Sequence, residues 1–382
     1  MKKNLIIYGI LALYLLFNIF VIIPNRSEMN LYNELINPLM WIVMCVVAIF
    51  LGKDSGLRVR SGVNKTQSLL IVLIIYIILY FLSGLIFGFE RTPYSKDILS
   101  VLLNLWSFGS IIILQEYVRL QLVKNENKKM YSLILTTLVF FVLNLNYSNF
   151  LDNFTDFKTI FIYASSVLLP AIAESAVLTY LIYTSGVKAS IIYRLFVTIP
   201  PFLIPIVPSL DWFVTAVVGV VLPLAVYIYI NYVNVVKNER LSRGERKRYS
   251  PVVYIPVFAL IAVFAAFVMG LFKYQPVAVL SGSMSPTFNR GDAVIINKLT
   301  KQEKNELKKG DIIQFISGTR YVVHRIYKVT NDEYGNKAFI TKGDHNNAPD
   351  SDQVSLDNVI GKVSFSVPLI GYPSVWLTGV IS

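Results

Sequence analysis

Residues 276–288, PVAVLSGSMSPTF, end a short β-type run (Val277, Ala278, Val279, Leu280) in Ser-Gly-Ser-Met-Ser-Pro. Serine, glycine and proline are what turns are made of, so this stretch alone reads as a loop. A serine hydroxyl becomes a nucleophile only when a base takes its proton, a further group orients that base and donors meet the developing oxyanion. The chain has two histidines. His324 lies in the run Tyr-Val-Val-His-Arg-Ile at 321–326, whereas His345 sits in a turn beside Asn346 and Asn347. Only His324 therefore occupies a regular element from which an imidazole can be aimed. Three carboxylates compete to orient it: Asp344, Asp350 and, more weakly, Asp352. Together these residue types can carry acyl transfer through an activated serine. With two histidines and Cys45 the single cysteine, a His- or Cys-built metal site is not expected, nor is any cofactor or disulfide.

The elements that must position these groups are short and β-rich. Strands are expected over 276–281, 292–297, 311–316, 320–329, 336–342 and 359–366, with the polar stretch Thr300–Lys309 as a short helix or loop. About 95 residues make a small, mostly-β domain, large enough for one core.

The segments SGSMSPTF, RGDAVII, GDIIQF, VVHRI, TKGDHNNAPD and VIGKVSFSVPLIGY, taken in order over 275–372, resemble signal peptidase I of the endoplasmic-reticulum and archaeal type. The resemblance covers roughly a quarter of the chain. It implies a serine endopeptidase cutting signal peptides from exported precursors after a small-x-small motif. It puts the nucleophile at Ser283, directly before Met284, and the base at His324, where bacterial-type relatives carry lysine. It also implies that the triad acid lies six positions after the Gly-Asp aspartate. That is Asp350, leaving Asp344 a supporting or loop-fixing role. The family loop usually reads Gly-Asp-Asn-Asn, and here His345 is inserted before the asparagines. The oxyanion donors implied are the Ser283 backbone N–H and the Ser281 hydroxyl. Gly282 is expected to allow a tight turn between the serines, and Met284 and Pro286 to wall the cleft. The strand 275–280 could pair with an extended substrate by β-addition.

The rest of the chain is membrane-like: 55% apolar, 15% charged, with a mean hydropathy of +0.58. A bilayer core about 30 Å thick needs roughly 20 apolar residues per helix. Such runs occur near 4–23, 35–52, 67–89, 98–117, 130–147, 159–184, 189–208, 211–236 and 252–273. The expected fold is an α-helical polytopic membrane domain of about nine transmembrane helices, followed by the β-rich peptidase domain. The divisions expected are 1–250, an anchor helix 251–273, the peptidase domain 274–367 and an apolar segment 368–382. The first run starts Met-Lys-Lys like a signal peptide. It is longer than such an apolar region and lacks a small-x-small cleavage site, so it reads as a retained anchor.

Basic residues concentrate on alternate loops: Lys2 and Lys3; Lys53, Arg58, Arg60 and Lys65; Arg119, Lys124, Lys128 and Lys129; Lys188 and Arg194; and Lys237, Arg240, Arg243, Arg246, Lys247 and Arg248. The intervening loops hold only Arg26, Arg91, Lys96 and Lys158. By the excess of Lys and Arg on cytoplasmic loops, the N-terminus is cytoplasmic and residues from 274 onward are extracytoplasmic. The net charge of +12 then needs no nucleic acid. The partners expected are secretory precursors, the lipid bilayer and the protein-export machinery.

Glu116, Glu174 and Arg194 fall in or beside apolar runs, where charges are costly and are either functional or paired between helices. Gln115-Glu116…Arg119 and Ser185-Gly186…Tyr193-Arg194 resemble the CPBP intramembrane glutamate proteases, which use membrane-embedded histidines that these spans lack. Pro170, Pro200, Pro201, Pro205 and Pro208 predict kinks or breaks in the sixth and seventh runs. The competing reading of the whole is a multi-spanning scaffold or transport partner carrying a peptidase-like domain of little or no activity.

Overall fold

The computed structural model describes residues 2–22, 32–52, 63–125, 130–145, 157–238, 251–318, 320–332 and 335–378. Of the basic residues assigned to loops, Arg26, Lys53, Arg58, Arg60, Lys128, Lys129 and those from Arg240 to Arg248 lie outside the described residues. The chain divides into two compact units, 1–154 with 162–255, and 256–382 with 155–161.

The first unit is helical. Its main helices are α1 (Lys2–Phe17), α2 (Asn37–Gly52), α3 (Val63–Phe87), α4 (Ser110–Asn125), α5 (Met130–Leu143), α6 (Leu169–Ser185), α7 (Val187–Thr198) and α8 (Trp212–Asn238). Among the described residues, six stretches are long and apolar enough to cross a membrane: Lys3–Ile22, Tyr32–Gly52, Thr66–Phe87, Ile98–Lys124, Phe157–Ser185 and Trp212–Asn234. Their outward faces carry large apolar side chains such as Leu13, Phe50, Leu79 and Leu85, an arrangement suited to a hydrocarbon surrounding.

The fifth expected run forms a shorter helix of 14 residues, α5. The seventh run, expected as one helix over 189–208, stops at Thr198. Pro200 and Pro201 open a separate four-residue turn, and Ile206–Pro208 (β2) pairs antiparallel with Phe89–Arg91 (β1). A proline ring lacks the N–H that a continuing helix needs, so the pair ends α7.

Arg119 and Arg194, assigned above to loops, are instead buried in the helix bundle. Arg194 Nη1 donates to Gln115 Oε1 at 2.6 Å and to Glu116 Oε1 at 3.1 Å. Ser190 donates to the other Glu116 oxygen. Arg119 donates to the Ser175 carbonyl at 2.9 Å and lies over the Phe140 ring. Pairing across α4, α5, α6 and α7 therefore satisfies much of what these buried charges need.

The second unit holds the β domain. A helix, α9 (Ile255–Val268), precedes it, with a 3-10 turn at Pro251–Tyr254. Fourteen α-helical residues span about 21 Å, shorter than the bilayer core of about 30 Å. Seven strands follow: β3 (Tyr274–Ala278), β4 (Ala293–Lys298), β5 (Ile312–Ser317), β6 (Arg320–Asn331), β7 (Lys337–Lys342), β8 (Val354–Ser355) and β9 (Val359–Val367). They form one antiparallel sheet in the order β3-β4-β9-β5-β6-β7-β8. Six of them lie where strands were expected; the two-residue β8 was not anticipated. Lys301–Asn305 forms a short helix, α10, closed by a Thr300–Glu303 capping box.

The sheet curls around two apolar clusters. One holds Leu307, Ile313, Phe315, Ile326, Phe339 and Val359, and the other Val279, Met284, Phe288, Val294 and Ile296. Alternation along β5 sends Ile313 and Phe315 to the first, while Ile312 packs against the second. The C-terminal apolar segment folds back on this domain through helix α11 (Tyr372–Thr378). The Asp292 carboxylate accepts from the Leu369 N–H at 3.1 Å, and a side chain at Gly291 (φ +93°) would collide with the Tyr372 ring.

Candidate active site

Three separate pieces of chain converge at the end of the second apolar cluster. Ser281 and Ser283 lie on the turn after β3, His324 on β6, and Asp350 in the loop after β7. His324 is buried and its ring stands edge-on to Phe315. Its Nε2 is 3.2 Å from Ser283 Oγ, and its Nδ1 is 2.6 Å from Asp350 Oδ2. A carboxylate can only accept, so this contact assigns the proton to Nδ1 and leaves the Nε2 lone pair facing the serine. The Ser281 and Ser283 hydroxyls are 3.2 Å apart. A cleft of about 750 Å³ opens beside them, floored by β3 and β6 residues and walled by Met284 and Phe288. Pro286, expected in the wall, sits instead in the turn beyond, after a cis peptide bond, and does not line the cleft.

The loop 343–350 is anchored from both ends. At its far end the Asp350 N–H donates to the Thr341 carbonyl at 2.8 Å, and the Thr341 hydroxyl donates to Asp350 Oδ2 at 2.6 Å. Thr341 is fully buried, so its hydroxyl helps fix the carboxylate that meets His324. At the near end the His345 backbone N–H donates to the Ser283 carbonyl at 2.8 Å. The His345 side chain is exposed, as its turn position implied, but its main chain ties the loop to the serine.

Asp344 is not brought to His324's ring nitrogens. It makes a two-pronged pair with Arg325, Nε to Oδ1 at 2.9 Å and Nη2 to Oδ2 at 2.7 Å, and accepts from Thr287 at 2.5 Å. Arg325 also donates to the Gly310 carbonyl at 3.0 Å. One guanidinium thus clamps β6, the Gly310 turn, the loop and the segment after Ser283. The Arg325 guanidinium holds the Asp344 carboxyl below its ordinary value, with partial burial opposing the shift. Asp352 accepts from the neighbouring Ser351 hydroxyl at 3.5 Å. Among the described residues no cluster of His, Cys, Asp and Glu could hold a metal ion.

Gly282 has no left-handed φ, and a Cβ there would meet open space, so the turn does not require glycine at that point. The glycine that the site does require is Gly343. A Cβ on it would lie 2.6 Å from the Ser283 carbonyl and 2.8 Å from Asn346 Nδ2. We expect Gly343→Ala to push loop and serine apart, lowering kcat about 100-fold, the scale of an ångström-sized misplacement. Its stability should fall by about 1–3 kcal/mol. Single-turnover peptide cleavage and thermal unfolding would measure both. Sequence reading missed Thr341, Gly343 and the Arg325 clamp. Thr341's place in a β-alternating run pointed to one face, but not to which partner it meets there.

Residues 252–334 match the family model described as signal peptidase, peptidase S26. The chain is also similar to curated proteins over its C-terminal part. Over 123 residues the chain is 37% identical to Signal peptidase I W of Bacillus subtilis (strain 168), covering 30% of this chain and 63% of that one. Over 108 residues it is 32% identical to the human Signal peptidase complex catalytic subunit SEC11C, covering 26% of this chain and 55% of that one. The chain thus spans between about half and two thirds of the length of these relatives.

Proposed function

We propose that this chain is a membrane-bound serine endopeptidase that removes signal peptides from exported precursors after a small-x-small motif. The observation that carries this reading is the unbroken series of contacts from Ser283 Oγ through His324 to Asp350 Oδ2 beside a cleft, with Ser283 and His324 both inside the segment matched by the signal peptidase, peptidase S26 model. Ser283 Oγ attacks the scissile carbonyl carbon while its proton passes to His324 Nε2. The resulting imidazolium is held by Asp350, and it then returns that proton to the leaving amine. A water activated by the same imidazole hydrolyses the acyl-serine.

The Ser281 hydroxyl and the Ser283 N–H stabilise the oxyanion. Ser281→Ala should therefore lower kcat about 100-fold or more with little change in KM, because the lost donor acts mainly in the transition state. Steady-state kinetics on one peptide reads that split. The edge of β3 that faces away from β4 pairs with no strand among the described residues, which suits an extended substrate lying along it.

Residues 1–250 form the multi-pass membrane domain and 251–273 the anchor. Residues 274–367 are the peptidase, on the extracytoplasmic side by the excess of Lys and Arg on the opposite loops, and 368–382 are the apolar C-terminal segment. Nine spans fit this reading if α5, α7 with its broken extension, and α9 cross with the six longer stretches.

Cleavage of a fluorogenic Ala-x-Ala signal-peptide substrate by the full chain in liposomes tests the reading. Cutting directly after the second small residue, unaffected by a chelator, is expected. A folded sample that leaves this peptide and whole precursors intact would instead favour the scaffold reading.

A further inference from the structure

One polar group in the cleft has no protein partner. Gln314 on β5 lines the cleft, is only 3% exposed, and its Oε1 is buried without a hydrogen bond. Its cross-strand neighbours explain this. On one side it pairs with Val323 and on the other with Gly361, so neither neighbour presents a polar side chain. The β5–β9 register shifts between Gln314 and Phe315. Bulges of this kind re-aim a side chain and are common beside active sites. Apolar residues, among them Val277, Val279, Val323, Met284 and Phe288, line much of the same cleft. A buried amide oxygen without a partner is unfavourable relative to one that is paired, so an apolar residue there would suit the empty domain better.

We infer that Gln314 is a specificity-determining residue that selects a hydroxyl side chain, serine or threonine, at one of the substrate positions seated in the cleft. This rests on the peptidase reading above. A hydroxyl is the matching group because it can donate to Oε1 or accept from the amide nitrogen, whichever end faces it. It is also small, in a cleft lined by Val323 and Met284. A carboxylate or an ammonium would bring an unpaired charge into an apolar pocket. The sharpest comparison is threonine against its isostere valine, which differ at the hydroxyl and hardly in shape.

The experiment uses the full chain in liposomes and peptides carrying Ala, Ser, Thr or Val in turn at each of the four residues before the cut. For the natural chain, kcat/KM should favour Thr over Val by about tenfold at one position. Gln314→Leu should abolish or invert that ratio, and its Tm should be equal or higher. Equal Thr/Val ratios in both proteins would overturn the inference, as would a uniform loss on every peptide. The same pairs are also measured as binding to the Ser283→Ala chain by fluorescence anisotropy. A Thr preference there that depends on Gln314 keeps the inference even if no peptide is cut, an outcome that would sink the peptidase reading alone. No preference in binding or cleavage removes it.

Discussion

Ser283→Ala should reduce peptide cleavage by at least about four orders of magnitude, with the protein still folded. Removing a nucleophile from a serine–histidine–carboxylate system leaves only the residual acceleration from binding and oxyanion donors. The contact at stake is short and specific: Ser283 Oγ faces His324 Nε2 at 3.2 Å, and the hydroxyl's other neighbour is Ser281. Losing one exposed-side hydroxyl opens no cavity, so Tm should change by no more than a degree or two. His324→Ala should be about as inactive, and the double variant no worse than either single one, because the two residues act as a unit. Burst-phase kinetics on an activated ester would add a second readout, since only the natural chain should accumulate an acyl-enzyme. Equal cleavage by Ser283→Ala and the natural chain would mean that another group attacks.

Much of the β domain can be read from residue order, because its strands are short, alternate in character and are separated by Gly, Pro and Asn turns. Six strands fall where that pattern puts them. What the pattern cannot give is register. Shifts at Ile295/Ile296, Gln314/Phe315 and Ile326/Lys328 change which residues meet across the sheet. Gln314 beside a glycine and Thr341 under Asp350 are consequences of those pairings. Gly343 has the same kind of origin: its need for no side chain arises from the Ser283 carbonyl, sixty positions away. In the helical unit, hydropathy locates the long apolar stretches but treats every arginine as a loop residue. Arg119 and Arg194 escape that rule because Glu116, Gln115 and the Ser175 carbonyl lie within reach inside the bundle.

The choice between Asp350 and Asp344 gives the other large effect. Asp350→Asn should lower kcat by about 10³–10⁴-fold, and Asp344→Asn by much less, about tenfold. At position 350 the acceptor oxygen receives both His324 Nδ1–H and the Thr341 hydroxyl. An amide there either turns its NH₂ to the ring, forcing the wrong tautomer, or turns its oxygen and still lacks the charge that stabilises the imidazolium. Asp344 meets no reacting atom; it holds Arg325 and Thr287, so its loss should show mainly in stability. Its carboxyl is held below the ordinary value, mainly by Arg325, so the folded state binds its proton less readily than the unfolded chain does. That contribution is complete above about pH 4, the ordinary carboxylate range, and is lost as pH falls through the depressed value. The Tm gap between the natural chain and Asp344→Asn should therefore be constant from neutral pH to about pH 4–5 and close on further acidification. A large kcat loss in Asp344→Asn with an unchanged Tm would reverse the two assignments.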